Sequence, residues 1–189
     1  LAHMGRGPDM ILELGVGPLP CQAVNGSAQF TTSVPLETLA QPTIAEVTAC
    51  LGLAPSDIVT DTHAPVLATL GAAFTISEVT NRATLAVIET DVSAFRKGAA
   101  IYPGALDFAQ FVYCRDGNTV HARMFAPLDN MPEDPATGSA AATLTALLSQ
   151  LSGQDQTLTI HQGEDMGRPS LIKVETKEQA VTVSGTACR

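Results

Sequence analysis

Over most of this chain, apolar and polar positions alternate along short runs, and one long run drops both the alternation and all charge. After Asp134 no charged residue occurs until Asp155, and between them lie Gly138-Ser139-Ala140-Ala141-Ala142 and a Thr- and Leu-rich body ending at Leu151. A helix that is apolar or small on every side has no solvent face, so it is buried in its domain or in a membrane. This run is too short and too rich in Ser and Thr for a bilayer, which takes about 20 mostly apolar residues. It predicts a central buried α-helix over 137–151, roughly 20 Å long at about 1.5 Å per residue and wrapped by other elements.

The alternating runs predict strands around that helix. Ile11–Leu14, Cys21–Val24 and Ala28–Thr32 come first, with Asn25-Gly26 as a tight hairpin turn, since both residues tolerate positive φ. Residues 35–42 read as a loop. Thr43 then opens a helix with Glu46 three residues on, a capping box, and Ile44, Val47 and Leu51 share one face before Gly52 ends it. Val66–Thr69 and Phe74–Val79 read as strands, followed by helical turns over 80–88 and 91–97 that carry Leu85, Ile88 and Phe95 inward. Gln110–Cys114 and Thr119–Phe125 alternate around Asp116-Gly117-Asn118 as a second hairpin leading into the central helix. Thr157–Ile160, Ser170–Glu175 and Ala180–Val183 complete the set. Many short strands with one buried helix predict an α+β fold, a mostly antiparallel β-sheet curled around that helix.

Composition narrows the class. At 189 residues, 45% hydrophobic and 15% charged, the chain is globular and has room for a sizeable core. Its 19 acidic and 10 basic residues give a net charge of −9, which argues against nucleic acid and anionic membrane as partners. Cys21, Cys50, Cys114 and Cys188 are scattered without a Cys-x-x-Cys pair and read as reduced core or edge residues of a cytoplasmic protein. No secretory pattern or membrane span is evident. His3, His63, His121 and His161 have no ligand-type spacing, so no metal is expected. Ser139 lacks the setting of a nucleophile elbow, and no glycine-rich dinucleotide turn is present.

The start of the central helix is where chemistry is concentrated. The first backbone N–H groups of a helix lack internal partners and carry partial positive charge. A Gly138-Ser139 opening leaves those donors accessible to a carboxylate or phosphate, and Asp134 stands at the same mouth. The same residues equally suit a structural arrangement in which Asp134 caps the helix and Pro135 is its first residue.

Arg123-Met-Phe-Ala-Pro127, a short linker and Glu133-Asp-Pro-Ala-Thr-Gly-Ser-Ala140 together resemble the signature of the PhzF-like (phenazine biosynthesis) family, which shares the diaminopimelate epimerase fold. Gln162-Gly163, Met166-Gly-Arg-Pro-Ser170 and Val16-Gly-Pro-Leu-Pro20 resemble it too, so the likeness runs over nearly the whole chain. The resemblance implies that residues 1–35 are a remnant of a first lobe and 36–178 a second epimerase-like lobe. Residues 179–189 would be a final strand returning to the first lobe. It implies a cofactor-independent isomerase that moves a proton on a small carboxylate-bearing metabolite by general acid/base catalysis. Asp134 would be the active-site acid, with Gly138, Ser139 and Thr137 cradling the substrate. Burial of that carboxyl beside an anionic ligand would make it resist ionisation. For Arg123 the choice is between substrate contact and pairing with a local carboxylate, and for Arg168 between ligand contact and holding a turn. Cysteine-dependent members of the superfamily place a reactive Cys just before the Gly-Ser that opens the helix. None of the four cysteines is there, which argues against a two-thiol racemase.

One departure from the family pattern is large. The first-lobe segment bearing the proton-moving Glu is not found in this chain, and Glu13, Glu37 and Glu46 lie in a strand, a loop and a capping box. His3-Met4 reads as a cloning remnant before Met4, or else Leu1-Ala2 ends a first-lobe Gly-His motif. Either way the expectation is a chain that begins partway through a longer fold. The competing expectation is a noncatalytic carboxylate-binding or dimerising half-module. An exposed seam for the other lobe makes a homodimer the expected assembly.

Overall fold

The computed structural model describes residues 8–14, 17–24, 26–102 and 106–186. Leu1, Ala2, His3, Met4, Val16, Asn25 and Cys188, to which readings are attached above, lie outside the described residues.

The strands are β1 (Asp9–Leu14), β2 (Gly17–Val24), β3 (Ser27–Thr32), β4 (Glu37–Ala40), β5 (Ile58–Val59), β6 (Val66–Thr69) and β7 (Ala73–Val79), followed by β8 (Gln110–Asp116), β9 (Thr119–Ala126), β10 (Met131–Asp134), β11 (Thr157–Gln162), β12 (Ser170–Lys177) and β13 (Ala180–Thr186). The helices are α1 (Ile44–Leu51), α2 (Arg82–Ala86), α3 (Val92–Ile101) and α4 (Gly138–Ser152). All strands join one sheet in the order β1-β2-β3-β13-β12-β11-β9-β8-β7-β6-β4, with β10 on β9 and β5 on β7. The fold is α+β with a mixed sheet. Every pairing is antiparallel except β7 with β8 and β9 with β11.

Those two parallel junctions explain where the helices are. Parallel neighbours need a crossover of a dozen or more residues, which a hairpin cannot supply. The chain crosses from β7 to β8 through α2 and α3, and from β9 to β11 through β10 and α4. The crossovers pack on opposite faces. In β8, Phe111 and Tyr113 join the core around α4, whereas Val112 and Cys114 join the core under α1, α2 and α3. Being covered on both sides, β7 is buried at all seven positions and shows no alternation.

α4 begins and ends within one residue of the predicted span, with Thr137 as its N-cap and Gly153 at φ 67 closing it. Ala140, Ala141, Ala142, Leu144, Leu147 and Leu148 are buried against residues of β6–β9 and β11–β13. The helix buries its threonines by internal pairing: the hydroxyls of Thr143 and Thr145 donate to the carbonyls of Ser139 and Ala141 at 3.0 and 2.8 Å. Likewise, the capping box of α1 is formed, Thr43 accepting from the Glu46 N–H while the Glu46 carboxylate accepts from the Thr43 N–H.

Three short strands lie outside the predicted set, one of them the two-residue β5. β4 lies within the expected 35–42 loop, and β10 within the linker before α4. Each has four residues, none of them buried, so neither leaves an apolar alternation to read. Cys50 and Cys114 are buried and Cys21 is half-buried, all as free thiols. No helix among the described residues is long and apolar enough to cross a membrane.

Because Leu144 is fully buried at the centre of α4, Leu144→Ala is expected to lower stability by about 2–5 kcal/mol in urea unfolding, through lost burial and the cavity left behind.

Candidate functional site

Between β10 and α4 the chain makes a tight turn, Asp134-Pro135-Ala136-Thr137, and nearly every polar group in it has a partner. The Asp134 carboxylate accepts from the Thr137 hydroxyl at 2.6 Å and from the Ala136 N–H at 3.5 Å. The first helical residue is Gly138, not Pro135, and Thr137 makes no side-chain cap. The structural alternative for Asp134 therefore takes a different form from helix capping. The carboxylate is anchored within its own turn, four residues ahead of the first helical residue.

Gln162, fully buried at the end of β11, holds this turn from beneath. Its amide nitrogen donates to the Asp134 carbonyl at 2.7 Å and to the Thr137 hydroxyl oxygen at 2.9 Å. Its amide oxygen accepts from the Thr137 N–H at 3.1 Å. Ser170 donates to the Pro135 carbonyl at 2.5 Å. Next to Gln162, Gly163 has φ 75, and a Cβ there would fall 2.9 Å from the Pro135 oxygen and collide with the Arg168 carbonyl. Only glycine fits that approach. The Gln162-Gly163 and Met166–Ser170 pieces, weak as sequence signals, thus meet at the Asp134 turn.

With the Thr137 N–H occupied by Gln162, the N–H groups of Gly138, Ser139 and Ala140 have no acceptor among the described residues. They form the positive end of a 15-residue helix that carries no charged side chain. Gly138 is half-buried and Ser139 exposed. Gly138 and Ala136 line an open cleft of about 650 Å³ with Phe30, Ile172 and Val183. Among the described residues, none that lines it is charged. Asp134, Thr137 and Ser139 are not among its lining residues.

Arg123 lies elsewhere. Its guanidinium makes a two-pronged pair with Glu133, Nε to Oε1 and Nη2 to Oε2 at 2.8 Å each, and Nη1 donates to the Leu85 carbonyl at 2.8 Å. It also stacks over Phe125 at 4.8 Å. Directly paired residues of neighbouring strands share a sheet face. Asp134 pairs with Met124, on the α4 face, whereas Arg123 contacts the end of α2 on the other. The structure therefore brings Asp134, Thr137, Gly138 and Ser139 together and leaves Arg123 behind them, paired with a local carboxylate. Arg168 lies in the turn after β11, where its N–H donates to the Gly163 carbonyl at 3.0 Å. Among the described residues no cluster of His, Cys, Asp or Glu could hold a metal ion.

Sequence reasoning missed a group of charged side chains beside Arg123. Arg82 contacts Glu164 at 3.3 Å and Asp165 at 2.8 Å, and His121 contacts Glu164 at 2.8 Å while stacking on His161. Burial works against the Glu164 carboxylate, but the His121 hydrogen bond and the charges of His121, Arg82 and His161 keep it below its ordinary range. The sequence signal was the register of His121 opposite His161 on β9 and β11, which a strand assignment alone does not supply.

The family model described as "Phenazine biosynthesis-like protein" (PhzC-PhzF) matches residues 6–189. An uncharacterized isomerase of Mesorhizobium japonicum is 29% identical over 181 residues, 89% of this chain and 60% of that protein. An uncharacterized isomerase of Deinococcus radiodurans is 44% identical over 80 residues, 37% of this chain and 26% of that protein. The chain thus spans less than two thirds of the length of these relatives. Among solved structures, the Bacillus anthracis phenazine biosynthesis protein of the PhzF family superposes with a TM-score of 0.80 at 18% identity, covering 98% of this chain and 69% of that one. A predicted epimerase from Pseudomonas aeruginosa gives 0.74 at 23% identity, covering 97% and 66%. At these identities the structural likeness speaks to fold alone.

Gln162→Leu keeps the volume but strands the Asp134 carbonyl and the Thr137 N–H. It is expected to cost about 2–4 kcal/mol, because buried polar groups left unpaired lose roughly 1–3 kcal/mol each. A urea melt reports it.

Proposed function

The chain belongs to the phenazine biosynthesis-like family, and from that premise we propose that it is the α4-bearing lobe of a cofactor-independent isomerase acting on a small carboxylate-bearing metabolite. The observation that carries this reading is the pairing of an anchored carboxylate, Asp134, with three N–H groups that have no acceptor among the described residues, at the start of an uncharged helix. The N–H groups of Gly138, Ser139 and Ala140 bind and orient the substrate carboxylate, which the helix dipole favours without any basic side chain. Phe30 and Val183 flank Gly138 and give that contact an apolar wall.

Asp134 is the acid that returns or shares the moving proton. Thr137 fixes its direction, since the hydroxyl oxygen accepts from Gln162 and its hydrogen is left for Asp134. The base that removes the proton is a glutamate of the other lobe of the family fold, absent from this chain. In the same reading the strands β1–β3, joined to β13 through β3, are part of that first lobe, and the sheet curls around α4 in the second. Arg123 enters as the partner that holds Glu133, next to Asp134 in the chain, rather than as a substrate contact.

The test is Asp134→Asn in the two-lobed enzyme, following deuterium uptake from D2O into small carboxylates that carry an acidic C–H. Turnover is expected to fall about a hundredfold or more, the usual worth of a positioned proton donor. Stability is expected to change by less than about 1 kcal/mol, as for a half-exposed polar substitution. An Asn variant with full exchange activity removes Asp134 from the mechanism.

A further inference from the structure

The loop between β11 and β12 touches the Asp134 turn on one side and the charged group on the other. On the inner side, Gly163 packs against Pro135 and Ser170 donates to the Pro135 carbonyl. On the outer side, its next two residues, Glu164 and Asp165, are both taken by Arg82, the first residue of α2. Asp165 also lies 3.8 Å from Arg123, which in turn grips Glu133. The residues flanking Asp134 in sequence are therefore both tied down: Glu133 by Arg123, and Pro135 by the loop that Arg82 holds. Three carboxylates, Glu133, Glu164 and Asp165, face two guanidiniums, and His121 of β9, His161 of β11 and the buried Cys114 thiol of β8 lie beside them.

We propose that Arg82 is a positioning residue for Asp134. By bracing the Glu164-Asp165 turn it clamps the Pro135 backbone from outside the sheet and so fixes the Asp134 carboxylate against Thr137. Arg82 touches neither the cleft nor α4, and no feature of the sequence singles it out. A guanidinium suits the task because its fork reaches two carboxylates at once, whereas an ammonium is a single point of charge. The proposal rests on the reading of Asp134 as the group that faces substrate, but its test needs no turnover. An active Asp134→Asn enzyme would remove the functional reading and leave the clamp standing.

The experiment uses the 15N-labelled 189-residue chain, comparing the parent with Arg82→Met, Arg82→Lys, Ser170→Ala and the Arg82→Met/Ser170→Ala double variant. In Arg82→Met the amide resonances of Ala136 and Thr137 are expected to shift and broaden, because the turn that holds the Asp134 carboxylate is no longer braced. Exchange of the Thr137 amide, bonded to Gln162, is expected to quicken about tenfold or more, while that of the Glu46 amide in the α1 capping box stays unchanged. Arg82→Lys should fall between parent and Met, and it reports in place of Arg82→Met if that variant does not fold. Ser170→Ala releases the same clamp from inside, so the double variant should be no worse than the stronger single one. Unchanged Ala136 and Thr137 resonances with unchanged Thr137 exchange overturn the proposal, as do simply additive effects. A Glu46 amide that quickens as much as Thr137 also overturns it, since Arg82 would then serve only global stability.

Discussion

Gln162 commits its whole amide group to the four residues that lead into α4, and the arrangement of the site depends on that commitment. Its oxygen takes the Thr137 N–H, and its nitrogen supplies both the Asp134 carbonyl and the Thr137 hydroxyl. A buried amide can be tolerated only if its donors and acceptor are met, and here the turn meets them. With Thr137 so occupied, the helix opens one residue later with three N–H groups unspent among the described residues. The Thr137 hydroxyl is then directed at Asp134 rather than at the helix. A capping hydrogen bond at this position would have consumed the donors on which the proposed carboxylate cradle relies. The opposite choice is made at α1, where Thr43 and Glu46 close the helix start on themselves.

The chain's lack of charge along α4 follows from its position. Inward residues from strands on both sides of the sheet path pack on the helix, so an ionised side chain there would have had to be paired or desolvated at high cost. Charge is displaced to the other face, where Arg82, Arg123, Glu133, Glu164 and Asp165 meet at the rim of α2 and the β11–β12 loop. Pro135 and β10 join the two faces near the site, and in the proposed clamp this is the route from the outer-face arginines to the inner-face carboxylate.

Most of this architecture was legible in the sequence because its main signals are local. The uncharged run gave α4, the Thr43-Glu46 spacing gave α1, and alternation gave the longer strands. β4 and β10 were illegible since their residues are half-exposed or exposed and their pairing is set by partners far along the chain, Leu67–Thr69 and Met124–Ala126. At the site, the grouping of Asp134, Thr137, Gly138 and Ser139 was legible because they are sequence neighbours. Arg123 was harder, since the face it occupies depends on strand register. The roles of Gln162, Gly163 and Ser170 as props of the Asp134 turn came from a crossover that no local pattern encodes.

The account turns on whether the start of α4 receives a carboxylate. The most direct measurement is an amide NMR titration of the 15N-labelled chain with benzoate, comparing the first turns of α4 and α1. Saturable shifts largest at Gly138, Ser139 and Ala140, with the capped start of α1 unmoved, are the predicted result. Equal shifts at both helix starts, or none at Gly138 and Ser139, would contradict it.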